Sequence, residues 1–335
     1  MTANLGKLGF WNGLSLVVHG EYNYGEQLNG AGGVVAPVNT ALYFPGNEGA
    51  DAFDVSSLYF QQRFGDFGSL AVGKINMVDI AAAKPFMGGA GIDSFWNIVF
   101  TAPPSGTVPP YLFGALASLR TELATYQLWV YDPTDAVNRT GFEDPFANGI
   151  TFRGSVEWPI KVFGLSGHQG LVATYSTEPG GTDDLDELLV PPFPPGFAGI
   201  KDTRYYFAYT FDQYIYQSTE NPQEGFGLFG QVGFSDGNPN RLAWSALTGL
   251  GGTGLLLPGR DRDTWGIGYY YAGLSSDLKL ALSPLLELKD EQGIEIFYNF
   301  EVTPWFTLGL DLQVIEPAIG KKLAVFPGVR SVTRF

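Results

Sequence analysis

The sequence predicts an all-β chain, an antiparallel sheet of many strands. Three observations carry this. Apolar and polar residues alternate with a period of two over many stretches of about 10 residues, the pattern of strands with two different faces. Aromatic residues are abundant, with 26 Phe, 17 Tyr and 7 Trp, and glycine reaches 45, while charged residues are only 16%. Soluble domains average about 25% charged. Finally, no uninterrupted apolar run is long enough for a membrane helix. Together these predict a transmembrane antiparallel β-barrel of about 16 strands, with an outward apolar face, aromatic girdles and a polar interior.

The clearest pattern lies in Gly293–Pro317. Ile294, Ile296, Tyr298, Phe300 and Val302 alternate with Glu295, Asn299 and Glu301, Phe297 being the exception. Thr303-Pro304 interrupts, and then Phe306, Leu308, Leu310, Leu312 and Val314 alternate with Thr307, Gly309, Asp311 and Gln313. Two such runs across a tight turn predict a hairpin. Leu14–Tyr24, Val55–Phe64 and Ser69–Asn76 read as earlier strands, the last two joined by the short turn at Gly65-Asp66. Glu122–Asp132, Gly149–Trp158, Gly167–Thr177, Arg204–Tyr216, Gly225–Ser235, Arg241–Leu250 and Asp263–Gly273 follow, and Leu323–Phe335 closes the chain. These are about 13 segments, and bacterial barrels use even numbers, so some strands escape the pattern. Short turns alternate with long loops, the expected rhythm of such barrels. No composition shift divides the chain, so residues 1–335 are expected to form one domain.

Ala82–Leu119 resists strand assignment, because Pro103, Pro104, Pro109 and Pro110 argue against a central strand. A loop this long calls for a role, and folded inward it would narrow the lumen. Asp183, Asp184, Asp186 and Glu187 make an acidic run expected in a solvated loop.

Several classes are excluded or disfavoured. Cysteine is absent, so no disulfide framework or thiol metal site exists. The net charge of −15 disfavours nucleic acid. No metal cluster, phosphate loop or nucleophile elbow appears, and no cofactor is expected. His19 and His168 fall on separate strands and are read as wall residues. No charged start followed by an apolar segment opens the sequence, so an exported protein would be present here in mature form.

DRDTWGIGYYYAGLS (Asp261–Ser275) and EIFYNFEVTPWFTLGLDLQVIEP (Glu295–Pro317) resemble the C-terminal signature of the carbohydrate-selective porins, the OprB family. FWNIVF (Phe95–Phe100), LAVGKIN (Leu70–Asn76) and GLFGQVGFSDGNPN (Gly227–Asn240) look like further landmarks of that family. The resemblance implies a barrel of about 16 strands in the bacterial outer membrane, in contact with its lipids, passing small sugars by facilitated diffusion, and trimeric. The last strand departs from the family, with Ser331 and Thr333 at outward positions usually aliphatic. The chain is also short for the family, which implies trimmed loops.

A sugar pore needs aromatic faces for sugar rings, donors and acceptors for hydroxyls, and fixed charges around a constriction. Alternation nominates Arg153 and Glu157 on one strand, Gln127 and Trp129 on its neighbour, and Arg63 and Glu21 nearer the start. The inserted loop adds Asp93, Trp96 and Asn97. Each of these can equally be a wall residue that pairs along the barrel, and Trp129 would sit in a girdle if the register slipped by one. Alternation from Leu70 and Val72 points Lys74 outward, where it would need to snorkel. A general or cation-favouring pore and a lipid hydrolase on the same barrel are the competing functions. A soluble β-protein is disfavoured by the many aromatics.

Overall fold

A computed structural model describes residues 1–43, 52–81, 84–178, 194–197, 199–221 and 224–335. The acidic run at Asp183–Glu187 lies outside the described residues. The first strands are β1 (Thr2–Asn4), β2 (Leu14–Asn23), β3 (Ala52–Phe64), β4 (Gly68–Asn76) and β5 (Tyr111–Arg120). Next come β6 (Thr125–Tyr131), β7 (Thr151–Val162), β8 (Leu165–Ser176), β9 (Arg204–Gln217) and β10 (Gly225–Ser235). The last are β11 (Leu242–Thr253), β12 (Thr264–Leu274), β13 (Glu291–Thr303), β14 (Phe306–Glu316) and β15 (Ala324–Thr333). They form one 15-stranded sheet in sequence order, and neighbouring strands pair antiparallel throughout. Among the described residues no helix is long and apolar enough to cross a membrane.

The two ends of the sheet differ. Connections at one end are short, as at residues 65–67, 163–164 and 304–305. Those at the other end are long, as at residues 77–110 and 132–150. Among the described residues three short α-helices interrupt the long connections, α1 (Met77–Ala81), α2 (Ile98–Thr101) and α3 (Ser276–Leu282).

Alternation sorts the two faces as the sequence predicts. On β13, Ile294 and Ile296 are exposed, while Glu291, Glu295, Phe297 and Asn299 on the opposite face are buried. β14 repeats this, with Leu310 and Leu312 exposed and Asp311 and Gln313 buried. A soluble sandwich would show the reverse, with aliphatic residues inside and carboxylates out.

The inner face is covered by two inserted segments, residues 34–40 and 84–102. Phe86, Phe95, Phe100 and α2 pack with Phe229, Leu247, Tyr270 and Phe297 from β10–β13. Val34 and Val38 pack on Ile315 of β14. The aromatics fit because the strands present glycine there. A Cβ on Gly268 would come within 2.5 Å of the Phe100 ring, and one on Gly266 within 2.6 Å of Phe297 and 2.8 Å of Phe95.

One expectation needs correction. Residues 111–119, where the prolines predict a loop, belong instead to strand β5 (Tyr111–Arg120), paired with β4 from Asn76↔Tyr111 to Gly68↔Leu119 and with β6. Its period of two is hidden because both faces carry apolar residues. Leu112 and Leu116 pack with Trp129 and Tyr131 on one face, and Phe113 is covered on the other by Phe142 and Phe146. The prolines fall before the strand, within the inserted loop that keeps residues 84–110.

Candidate functional site: the inner wall and its inserted loop

β13 turns every second residue inward, and four of five successive inward positions meet an inserted segment. Glu291 accepts hydrogen bonds from the backbone N–H groups of Val35 (2.7 Å) and Ala36 (3.0 Å), from Ala318 (3.3 Å) and from the Tyr270 hydroxyl (3.0 Å). Gly293 leaves room for Tyr270 and Ile315. Glu295 accepts from the N–H groups of Trp96 and Asn97. Phe297 lies 4.7 Å from the Phe95 ring, edge to face. Asn299 donates to the Asp93 carbonyl at 2.9 Å.

β14 and β15 complete the cradle. Gln313 accepts from the Asn97 side-chain amide (3.1 Å) and donates to the Val38 carbonyl (2.8 Å). Arg330 stacks on the Trp96 ring at 4.1 Å and donates to the Gly91 carbonyl. Arg334 pairs with Asp93. The two inserted segments also bond to each other, Ile98 N–H to the Pro37 carbonyl (2.9 Å) and Thr40 N–H to the Trp96 carbonyl (2.8 Å). Asn97 caps α2, accepting from the Val99 N–H.

A second group stands on β6 and β7. Trp129 and Arg153 are opposite each other in the ladder, and the guanidinium lies 3.8 Å above the indole. That contact is the strong form of cation–π pairing. Nη1 of Arg153 is buried with no hydrogen-bond partner among the described residues. Gln127 accepts from the Ser155 hydroxyl. Glu157 pairs with Lys84 of the inserted loop at 2.6 Å, both exposed.

The sequence matches the profile described as "Carbohydrate-selective porin, OprB family" over residues 1–335. The chain belongs to the OprB family of carbohydrate-selective porins. Its fold is similar to the high-pH structure of Pseudomonas putida OprB, with a TM-score of 0.77 and 18% identity, over 99% of this chain and 85% of that one. The low-pH structure of the same Pseudomonas putida protein aligns with a TM-score of 0.56 and 14% identity, over 99% and 82%. No curated protein sequence matches. The chain is thus an outer-membrane porin built as an antiparallel β-barrel, with the polar row of β13 on its inner wall and the isoleucine row toward lipid.

Within this porin the nominated residues separate into four places, Glu21 lying apart with Asn76 and Tyr111. Asp93, Trp96 and Asn97 lie together on the inserted loop against β13–β15. Gln127, Trp129, Arg153 and Glu157 lie together on β6–β7, and Lys84 ties that group to the loop. Arg63 joins neither, being exposed beside the short 65–67 turn and opposite Ser69. Trp129 is buried in the inner cluster with Leu116 and Tyr131, so it is no girdle residue.

Lys74 departs from the snorkelling expectation. Its register sets it across from Leu58 and Phe113, yet it is only 2% exposed. Its ammonium holds both oxygens of Asp54 (2.8 and 3.0 Å) and the Arg139 carbonyl (2.6 Å) from the 132–150 connection. Close by, Glu21 accepts from Asn76 and the Tyr111 hydroxyl. The histidines behave as wall residues, His19 bonding Asp79 (2.7 Å) and His168 bonding Asp212 (3.0 Å).

Sequence reasoning did not single out Glu291, Glu295, Gln313, Asn299 or Arg330 as loop-binding. A signal existed, since polar residues recur at inward positions of neighbouring strands near the chain end. What it lacked was the identity of the partner, because backbone N–H groups of a distant loop leave no trace in sequence.

Proposed function

We propose that residues 1–335 form a single pore domain that passes monosaccharides and small oligosaccharides such as glucose down their gradient. The pore-lining groups in this reading are Trp129 and Arg153, with Gln127 and Glu157 beside them. Asp93, Trp96 and Asn97 shape the constriction from the loop side. The observation that carries the reading is the Arg153–Trp129 stack. An indole and the half-buried guanidinium stacked on it sit together on the inner wall, and the hydroxyls of a sugar are acceptors for guanidinium N–H groups. Three copies of the chain assembled as a homotrimer within outer-membrane lipid complete the proposal.

The pore reading predicts a specific behaviour in planar bilayers. Detergent-purified protein should form stable channels whose current falls saturably as glucose or a longer oligosaccharide is added. Channels indifferent to sugar, with a cation-selective reversal potential, would replace the sugar pore by a general diffusion pore. Lipid hydrolysis is disfavoured on geometry, because among the described residues neither histidine is hydrogen-bonded to a serine, and the bond each makes, from Nδ1 to a carboxylate, is only the orienting half of a triad. Cross-linking in native membranes reads the oligomer directly, and a monomer alone would remove the trimer from the proposal.

A further inference from the structure

We propose that Glu291 and Glu295 are positioning residues that set the width of the pore, by clamping two separate inserted segments to one strand. The proposal rests on the porin reading and adds to it the groups that fix the constriction. Both carboxylates face the inner wall, where a porin would ordinarily expose charge to water. They do not meet water, since Glu291 is 0% exposed and Glu295 is 1%. A carboxylate taken out of water has to be met by donors. Here the donors are pairs of consecutive backbone N–H groups, Val35 and Ala36 for Glu291, Trp96 and Asn97 for Glu295.

The arrangement has three properties of a clamp. Each carboxylate offers two oxygens to two adjacent amides, which fixes the orientation of the loop as well as its distance. The two glutamates are four residues apart on the same face of β13, so they hold segments 34–40 and 84–102 at a fixed offset. The segments are then bonded to each other through Ile98 and Pro37 and through Thr40 and Trp96. Releasing either glutamate therefore loosens both segments. Gln313 reinforces the same contact from β14, bonding Asn97 and the Val38 carbonyl. Substrate reaches neither glutamate, so they act on sugar only through the loop they hold.

The test compares Glu295→Ala, Glu291→Ala, Glu295→Gln and Gln313→Ala with the unmodified porin. Assembly is checked by heat-modifiable gel migration, and single-channel conductance and the size limit for neutral oligosaccharides are then measured. Glu295→Ala and Glu291→Ala should raise conductance by about twofold or more and admit longer oligosaccharides, because the constriction widens. Glu295→Gln keeps one acceptor but sets an amide NH2 against the second N–H, so it should fall between Glu295→Ala and the unmodified protein. Gln313→Ala should shift both readouts in the same direction by less. If the alanine variants fail to assemble, the Gln and Gln313 variants carry the test. Assembled variants with unchanged conductance and unchanged size limit overturn the clamp while leaving the porin standing. An unmodified protein that forms no channel overturns both.

Discussion

Replacing Phe95 by alanine should unfasten the inserted loop while leaving the barrel assembled. Phe95 is fully buried, and its ring lies 4.6 Å from Phe100, 4.7 Å from Phe297 and 5.6 Å from Phe229. Truncating such a ring costs about 3–5 kcal/mol, transfer and cavity together. The edge-to-face contacts with Phe297 and Phe229 are part of that loss. Phe95 belongs to the loop and no strand ladder runs through it, so the cost falls on docking rather than on the wall. A loss of about 4 kcal/mol multiplies the undocked fraction by about 10³. The absence of cysteine gives a clean reporter. Val99→Cys places a thiol at a position 7% exposed in the docked loop, and maleimide labelling then follows the undocked population when reclosing is fast. Labelling should accelerate at least about 100-fold in the Phe95→Ala background, allowing for partial collapse of the cavity. A change below about threefold would refute the reasoning, because the aromatic cluster would then contribute little to docking. Collapse of the assembled barrel would refute it differently, by showing that wall and loop fold as one unit.

Three further outcomes follow from the same geometry. Lys74→Met strands Asp54 in a buried site, which should cost about 3–5 kcal/mol and lower the melting temperature in detergent; adding Asp54→Leu should recover most of the loss, and a double variant no better than the single would deny the pairing its role. Arg153→Ala should weaken the sugar-dependent block of current by about 0.5–2 kcal/mol, or roughly two- to thirtyfold, and an unchanged block would take Arg153 off the sugar path. At Asp290, just ahead of β13, burial pushes the carboxyl up, but Lys279, the Tyr271 hydroxyl and the Leu274 N–H outweigh it and hold the group below the ordinary value. A depressed carboxyl stabilises above its ordinary value, about 4, and the stabilisation is lost as pH falls through the folded value. The difference in thermal stability between the unmodified porin and Asp290→Asn should therefore be largest near neutral pH and fade below about pH 4, and a difference independent of pH would contradict the assignment.

The parts of the molecule that were legible in sequence are those where lipid and lumen impose opposite demands on neighbouring residues. β7, β10 and the β13–β14 hairpin are of this kind, and their faces follow from alternation alone. Elements were lost wherever that contrast disappears. β5 has apolar neighbours on both faces, Trp129 and Tyr131 on one and Phe142 and Phe146 on the other, and β1 is three residues long. The site divided in the same way. Trp129, Arg153, Gln127 and Glu157 could be grouped because adjacent strands in register bring them together. Arg63 could not be separated from them, since alternation gives the face of a residue but not its depth along the strand.

The clamp residues show why the loop and the wall have to be read as one object. An inward glutamate in a porin looks like a pore charge, and Glu157, exposed and paired with Lys84, has that character. Glu291 and Glu295 have the same parity on their strand and the opposite role, because a loop lies over them. What distinguishes the two cases in sequence is the neighbouring inward residues. Around Glu295 they are Gly293 and Phe297 on β13 and Gly266 and Gly268 on β12, the vacancies and rings that a buried aromatic loop requires. Around Glu157 they are Ser155 and Gly170, which present no aromatic surface for a loop to dock on. An inward carboxylate flanked by inward glycine and phenylalanine is therefore covered by the loop in this chain, and one flanked by small residues is left exposed.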